Sequence, residues 1–164
     1  MKKLNYLFLF VLAALVSAYS SEDEDPKLIE KNVTIEVEMG GDYSEYLVTF
    51  TVHSMLSGTS TFVAPVLKEP SSLDWTQVVE QGNTFSLTYK PSMSTIEVQS
   101  SSDIHSLGFL FNAVPLDMEP DKSFELLTAT IRVFADGEVY REYAYEASPS
   151  DQTSVPISES VTVE

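Results

Sequence analysis

Apolar and polar residues alternate with a period of two along much of the chain beyond residue 32. The alternation runs over residues 33–38, 46–53, 85–90, 95–99 and 161–164. Successive side chains of a strand point to opposite faces of the sheet, so this pattern is typical of strands with one buried and one solvated face. Antiparallel sheets commonly leave one face in water, and the sequence therefore predicts antiparallel sheets.

Residues 107–114 differ, because they are apolar at both alternating positions apart from Gly108 and Asn112. A strand that is apolar on both faces is typical of the middle of a sheet or of a sheet covered on both sides. We therefore expect 107–114 to be a central strand, or one that is covered on both sides.

The dipeptide Asp136-Gly137 separates two further strand-like segments, 124–135 and 138–147. Asp-Gly favours a type I′ turn, which needs positive φ at both central residues and joins adjacent antiparallel strands. A two-residue loop then predicts three cross-strand pairs: Phe134 with Val139, Val133 with Tyr140, and Arg132 with Arg141.

One short segment near residues 72–81 shows a helical pattern. Ser71 or Ser72 can serve as the N-cap, Trp75 and Val78 follow, and Gly82 can end the helix. The same residues also fit a strand, so helix and strand both stay open for this segment.

Roughly eight or nine short strands without alternating helices predict an all-β fold. We expect one domain over residues 32–164, a two-sheet antiparallel sandwich that is immunoglobulin-like in broad architecture. A closed barrel is the main alternative.

The N-terminus has the features of a secretory signal peptide. Lys2 and Lys3 precede an apolar run over residues 7–16, and the small residues Ser17 and Ala18 follow it. The run is shorter than the ~20 apolar residues that span a bilayer. We predict a signal peptide over residues 1–18, cleaved before Tyr19, with no transmembrane helix in the mature chain.

The segment after the cleavage site, 19–31, is predicted to be an acidic flexible linker that includes Ser20-Ser21-Glu22-Asp23-Glu24-Asp25-Pro26. Small residues followed at once by a Ser/Asp/Glu run resemble the start of a Bacteroidetes-type surface lipoprotein. In that family a lipidated Cys follows the small residues, and the acidic run directs export to the outer face of the outer membrane. Position 19 is Tyr here, so the resemblance implies a lipid anchor only if residue 19 is Cys in the cell. It implies an exported protein of the periplasm, the outer membrane or the cell surface.

Composition narrows the classes of partner. The 164 residues carry a formal net charge of −16 and no Cys. Nucleic acid and anionic lipid are therefore excluded as electrostatic partners, since both bind clustered Lys and Arg. Disulfides and Cys-ligated metals are excluded as well, and no Gly-rich phosphate loop or other cofactor motif is present.

Catalytic motifs are scarce. The chain has two histidines, His53 and His105, and lacks Gly-x-Ser-x-Gly and Ser-x-x-Lys. The alternation places His53 on a wet face, and His105 follows a polar turn, so both are expected to be ordinary surface histidines. We do not expect an enzyme.

Alternating acidic residues suggest one metal site. Asp117, Glu119 and Asp121 offer several oxygens on one loop, as Ca²⁺ requires. The loop does not match a helix-loop-helix calcium motif, because Lys122 stands where that motif has Gly. A solvated acidic loop is the alternative.

The aromatic residues are candidates for ligand binding. Trp75, Tyr140, Tyr143 and Tyr145 could stack on sugar rings or anchor a protein if they are exposed. They could equally fill the core or its rim.

We therefore expect a non-catalytic, exported binding or adhesion module of the cell envelope, with a surface glycan or an envelope protein as its partner. One alternative is a structural accessory subunit, which predicts a bare edge strand at residues 33–38 or 160–164. The other is a small envelope hydrolase that uses His53, His105 or a carboxylate pair.

Overall fold

The computed structural model describes residues 28–59, 61–78, 83–117, 124–150 and 155–164. A short 3₁₀ helix, Tyr43–Glu45, precedes the second of ten strands. The strands are β1 (Val33–Gly40), β2 (Tyr46–Leu56), β3 (Pro65–Glu69), β4 (Thr76–Val78), β5 (Thr84–Tyr89), β6 (Thr95–Ser100), β7 (Ser106–Pro115), β8 (Leu127–Ala135), β9 (Glu138–Ala147) and β10 (Ile157–Thr162).

These strands form two five-stranded antiparallel sheets. Sheet I has the order β3-β6-β1-β8-β9, and sheet II has the order β10-β7-β2-β5-β4. The predicted two-sheet sandwich is confirmed, and the two sheets keep separate edges, so the barrel alternative is wrong. The immunoglobulin-like resemblance stays a prediction.

The core lies between the sheets and is built from every second residue of the strands. In β1, Val33, Ile35 and Val37 are fully buried, while the intervening residues are partly or largely exposed. The largest side chains of sheet II in the core are aromatic: Tyr46, Phe50, Phe109 and Phe111. The period-two pattern therefore predicted correctly which face is buried in β1, β2, β5, β6 and the end of β10.

The Asp136-Gly137 hairpin forms as expected, with φ of 52° and 83° at the two residues. Phe134 pairs with Val139 as predicted. The next two predicted pairs are wrong, because the register shifts between Val133 and Phe134. Tyr140 is the extra residue of this bulge, so Val133 pairs with Arg141, and Arg132 pairs with Glu142.

The helix expected near residues 72–81 does not form in its described part. Thr76–Val78 is strand β4, which pairs with β5 at the edge of sheet II. The extended form lets Trp75 pack against the core, and β-branched Thr76 and Val78 suit it as well. Residues 79–82 lie outside the described residues.

The strand positions correct one further expectation. The predicted central strand is confirmed, because β7 pairs with both β2 and β10. A bare edge at residues 33–38 is wrong, because β1 is the third strand of sheet I and pairs on both sides. The last strand, β10, does lie at a sheet edge.

The chain enters the domain at the end that holds the β8–β9 hairpin. Lys31 forms a β-bridge with Ile104, and the Asn32 carbonyl accepts a hydrogen bond from the Asp136 amide, 2.8 Å. The predicted signal peptide and residues 19–27 of the predicted linker lie outside the described residues. Among the residues that are described, no helix has the length and hydropathy of a membrane span.

Candidate functional site

The predicted ligand-binding tyrosines of β9 face the gap between the two sheets. Tyr145 is only 6% exposed, and its ring meets Phe111 edge-on with centroids 5.0 Å apart. Its hydroxyl accepts a hydrogen bond from the Ala113 amide at 3.0 Å, beyond the last β10–β7 pair. Tyr145 therefore joins the sheets and presents no free ring face to a ligand.

Tyr143 is partly buried one step along the same strand, with its ring edge-on to Phe109 at 5.5 Å. Burial and then the nearby Glu159 raise the pKa of the Tyr143 phenol, while Arg141 acts against them. The Tyr143 ring thus packs between strand β9 of sheet I and strand β7 of sheet II.

Tyr140, the bulge residue, fastens β9 to the last strand. Its hydroxyl donates a hydrogen bond to the Thr162 carbonyl at 3.0 Å. The Arg141 guanidinium lies 4.4 Å from the ring centroid, and the Lys31 ammonium lies 5.8 Å from it. The ring is already engaged by two cations of the same chain.

Trp75 packs at the other side of the core. Its ring centroid is 6.3 Å from that of Phe50 and 6.3 Å from that of Phe85. The indole Nε1 is buried without a hydrogen-bond partner. The structure thus places all four predicted aromatic residues in contacts within the chain, and it brings Tyr140, Tyr143 and Tyr145 together but not Trp75.

The predicted calcium ligands are only partly described. Asp117 follows β7, while Glu119 and Asp121 lie outside the described residues. The amide of Leu116 donates to the Glu45 carbonyl at 2.9 Å, which brings this segment to the turn before β2. Within the described ranges, no three acidic or histidine side chains form a group that could hold a metal ion.

The two histidines lie in different settings. His105 is partly buried near the hairpin end, and its Nδ1 is buried without a hydrogen-bond partner. His53 lies on the outer face of sheet II. Neither imidazole forms a hydrogen bond with a carboxylate among the described residues.

A groove of about 400 Å³ lies beside His53 on this outer face. His53 pairs across the sheet with Gly108, and Gly108 pairs in turn with Ser160. The missing side chain at Gly108 leaves a depression between its two neighbours. The groove is lined by His53, Ser54, Ser106, Leu107, Gly108, Ser158, Glu159 and Ser160.

Neither sterics nor backbone geometry requires glycine at position 108. A Cβ added there would lie 3.5 Å from the His53 Cβ and 3.6 Å from the Glu159 carbonyl oxygen, which is ordinary van der Waals contact. The residue also lacks the positive φ that favours glycine at Gly41 and Gly137. Glycine inside a strand weakens it and often marks a place that a ligand or a second backbone approaches.

The surroundings of the groove are rich in hydroxyl groups. Thr49 and Thr88 contact each other across β2 and β5 at 3.1 Å, and Thr51 and Ser86 do the same at 3.1 Å. Serines of β10 continue this face beyond Gly108. Thr51 is buried, while Thr88, Ser158 and Ser160 are exposed. Hydroxyl groups both donate and accept hydrogen bonds, so these exposed ones can meet polar ligands of varied geometry.

The outer face of sheet I has the opposite character. Cross-strand pairing aligns one row of charged residues over all five strands: Glu69, Glu97, Glu36, Arg132 and Glu142. The Arg132 guanidinium lies 2.8 Å from Glu142, 3.0 Å from Glu38 and 3.6 Å from Glu36. Its hydrogen bonds to Glu142 and Glu38 raise the pKa of Arg132.

Sequence reasoning did not find the groove, although it noted both of its key residues. Gly108 interrupts the apolar run of 107–114, and His53 ends the alternation of β2. Their proximity follows from the register of β2 against β7, which no local pattern specifies.

Comparison with known proteins identifies the fold. No protein-family model matches the chain, and no curated protein matches it either. A domain of unknown function, DUF4425, from Bacteroides vulgatus matches with a TM-score of 0.58 and 10% identity, over 82% of this chain and 98% of that one. A DUF4425 family protein from Bacteroides ovatus matches with a TM-score of 0.54 and 10% identity, over 82% and 95%.

A third solved structure is the calcium-bound form of a protein from Parabacteroides distasonis. It matches with a TM-score of 0.50 and 10% identity, over 84% of this chain and 99% of that one. At such low identity these likenesses establish a shared fold and nothing about activity.

Proposed function

We propose that the protein is a non-catalytic, exported binding module of a bacterial cell envelope, and that the groove over Gly108 is its recognition site. Two observations support export to an envelope: the N-terminal signal pattern and the acidic segment after it. The fold shared with proteins of Bacteroides and Parabacteroides is consistent with the Bacteroidetes-type resemblance of the N-terminus. The proposal places the protein in the periplasm or at the outer membrane and cell surface.

The groove is the observation that carries the binding role. His53 and several serines line the groove. Glycine stands at position 108 beneath it, although alanine would fit there and would stabilise the strand more. Functional sites are places where a sequence departs from what local stability favours. A binding role suits this open surface better than hydrolysis, because neither described imidazole is oriented by a carboxylate.

Export is tested by fractionating cells of a Bacteroides host that express the natural chain or the variant Tyr19→Cys. We expect the natural chain to lose residues 1–18 and to enter the soluble envelope fraction. The variant completes the lipoprotein pattern, so we expect it in the membrane fraction with a diacylglycerol mass at position 19. Retention of residues 1–18 in the cytoplasm would contradict the proposal.

Binding is tested by sedimenting the purified domain with envelope fragments of Bacteroides vulgatus. We expect the domain to co-sediment with the fragments, and the double variant His53→Ala, Ser160→Ala to co-sediment less. Thr88→Ala is the matched control, because it removes a hydroxyl from the same face away from the groove. A domain that stays in the supernatant would contradict a binding role in this envelope.

Calcium binding is a second candidate function, located at the end of the sandwich opposite the hairpin. Asp42 accepts a hydrogen bond from the Glu125 amide at 2.7 Å, and the Leu116 amide donates to the Glu45 carbonyl, so these contacts draw the β1–β2 and β7–β8 connections together. The fold is also that of a Parabacteroides distasonis protein in its calcium-bound form. Loop carboxylates from several segments are the ligands that Ca²⁺ prefers.

Thermal unfolding with Ca²⁺, with Mg²⁺ and with a chelator tests this candidate. A bound ion stabilises the native state, so we expect Ca²⁺ to raise Tm and the variant Asp117→Asn, Asp121→Asn to lose that rise. Asp103→Asn is the control, because Asp103 lies in a turn at the opposite end. An unchanged Tm in Ca²⁺ would rule the candidate out.

A further inference from the structure

The outer faces of the two sheets differ in charge, and this difference bears on the chemistry of the ligand. The chain has 25 Asp and Glu against 9 Lys and Arg, so charged residues are abundant enough to appear on any solvated surface. On sheet I they do appear, with Glu36, Glu38, Glu97, Arg132 and Glu142 on one exposed face.

By contrast, charged side chains are missing from the rows of described residues that cross the outer face of sheet II. The residues that alternate with the core positions of β2, β5, β7 and β10 form cross-strand rows. The rows contain no Asp, Glu, Lys or Arg: Thr88, Thr49 and Asn112; Ser86, Thr51, Leu110 and Ser158; Thr84, His53, Gly108 and Ser160. A neutral polar face on so acidic a protein selects against ionic partners, because it offers them no opposite charge.

The groove over Gly108 lies on this face, and Glu159 is the one charged residue among the described residues that line it; Glu159 pairs with the buried Phe109 and so alternates with the outward-facing Ser158 and Ser160. Its hydroxyls and imidazole can each donate and accept hydrogen bonds, whereas carboxylates only accept and ammonium groups only donate. The hydroxyl groups of a sugar likewise donate and accept. The bare Gly108 backbone allows a flat ring to lie close to the sheet, where a side chain would hold it away.

We infer that the groove over Gly108 binds a neutral carbohydrate, one or two sugar rings of a larger glycan. This rests on the proposed binding role and narrows its partner from glycan or protein to uncharged glycan. The site has three elements: the depression at Gly108, the serines of β10, and the His53 imidazole, which forms no hydrogen bond with the described residues.

The test is an amide-shift titration of the purified domain with neutral mono- and disaccharides of glucose, galactose, mannose and N-acetylglucosamine. We expect at least one of them to shift the amides of His53, Gly108 and Ser160 saturably. Gly108→Ala fills the depression and should weaken that binding by ~10-fold or more, the loss of about one well-made contact.

The controls separate the groove from the fold. Gly108→Ala should keep or raise Tm, since the added Cβ meets only ordinary contacts. Thr88→Ala, on the same neutral face, should bind as the natural chain does.

Three results would overturn the inference: no saccharide shifts the groove amides, Gly108→Ala binds as tightly as the natural chain, or inorganic phosphate alone shifts them. The envelope sedimentation assay then distinguishes the two proposals. If the natural chain and Gly108→Ala co-sediment equally, the glycan inference fails while the binding role stands. If neither co-sediments, the binding role fails too.

Discussion

Arg132 shows how one residue organises an exposed face. It is the sole cation that its cross-strand row contains, and its guanidinium contacts Glu36, Glu38 and Glu142. Without it, these carboxylates would face one another on neighbouring strands, and like charges on neighbouring strands are destabilising.

Arg132→Gln is therefore expected to lower Tm at low salt. The loss should shrink at high salt, because exposed charges are screened there. Arg141→Gln is the control, because it removes the same charge from β9, where the described contacts of Arg141 are with Tyr140. Equal melting of Arg132→Gln and the natural chain at low salt would contradict the role assigned to this row.

Tyr89 at the end of β5 links burial to pH dependence. Burial raises its pKa from 10.0 to about 12, because the phenolate would lose its hydration. The folded state therefore holds the proton more tightly than the unfolded state. This stabilisation is complete below pH 10 and is lost as pH rises towards 12.

Tyr89→Phe is expected to flatten the alkaline fall in unfolding free energy between pH 10 and 12. Denaturant unfolding at several alkaline pH values measures this fall. Tyr140→Phe, the same chemical change at the β9 bulge, provides the comparison. A natural chain and a Tyr89→Phe variant with parallel curves would show that Tyr89 titrates alike in both states.

At the scale of the elements, the bulge at Tyr140 decides how the two sheets are joined. It moves Arg132 opposite Glu142 rather than Arg141, which replaces a repulsive pair by an ion pair. It also sends the Tyr140 hydroxyl to the Thr162 carbonyl of the last strand. One extra residue thus sets both the charge pattern of sheet I and the closure of the sandwich beside β10.

Tyr140→Phe is expected to lower the unfolding free energy by about 1 kcal/mol, the usual net worth of one hydrogen bond. The ring and its two cations remain, so the loss isolates the bond. Hydrogen exchange should quicken most in β10, which pairs with β7 alone among the described strands. Uniform exchange across both sheets would indicate that the bond does not fasten β10.

At the scale of the whole molecule, the ends of the sandwich differ. The described chain enters beside the Asp136-Gly137 hairpin, and the acidic loops around Asp42 and Glu125 lie at the far end of β1. The eight residues of β1 place these ends roughly 25 Å apart. A protein tethered through its N-terminus would present the acidic loop end away from the membrane.

This orientation is testable in Tyr19→Cys, where we expect a lipid anchor. The chain has no other Cys, so a probe can be attached through Glu138→Cys near the hairpin or through Ser92→Cys at the far end. A lipid-attached quencher should reduce the fluorescence of a probe at position 138 more than that of a probe at position 92. Equal quenching would mean that the tether lets the domain turn freely.

The sequence by itself determined the class of fold and the inward face of most strands. Val33, Ile35 and Val37 alternate with polar residues, and a strand can bury such a pattern only one way. The Asp136-Gly137 turn was likewise determined by local sequence, because Asp and Gly adopt the positive φ that both positions of this turn need. The export signal belongs to the same local level and stays a prediction.

The tertiary structure decided which residues meet. Periodicity assigns a side chain to a face, but strand order and register assign its neighbours, and both depend on contacts between residues far apart in the chain. His53 therefore met Gly108, the tyrosines of β9 turned inward, and Arg132 met Glu142 only once the sheets had formed. Chemistry that depends on such neighbours, the groove above all, could be read only from the folded molecule.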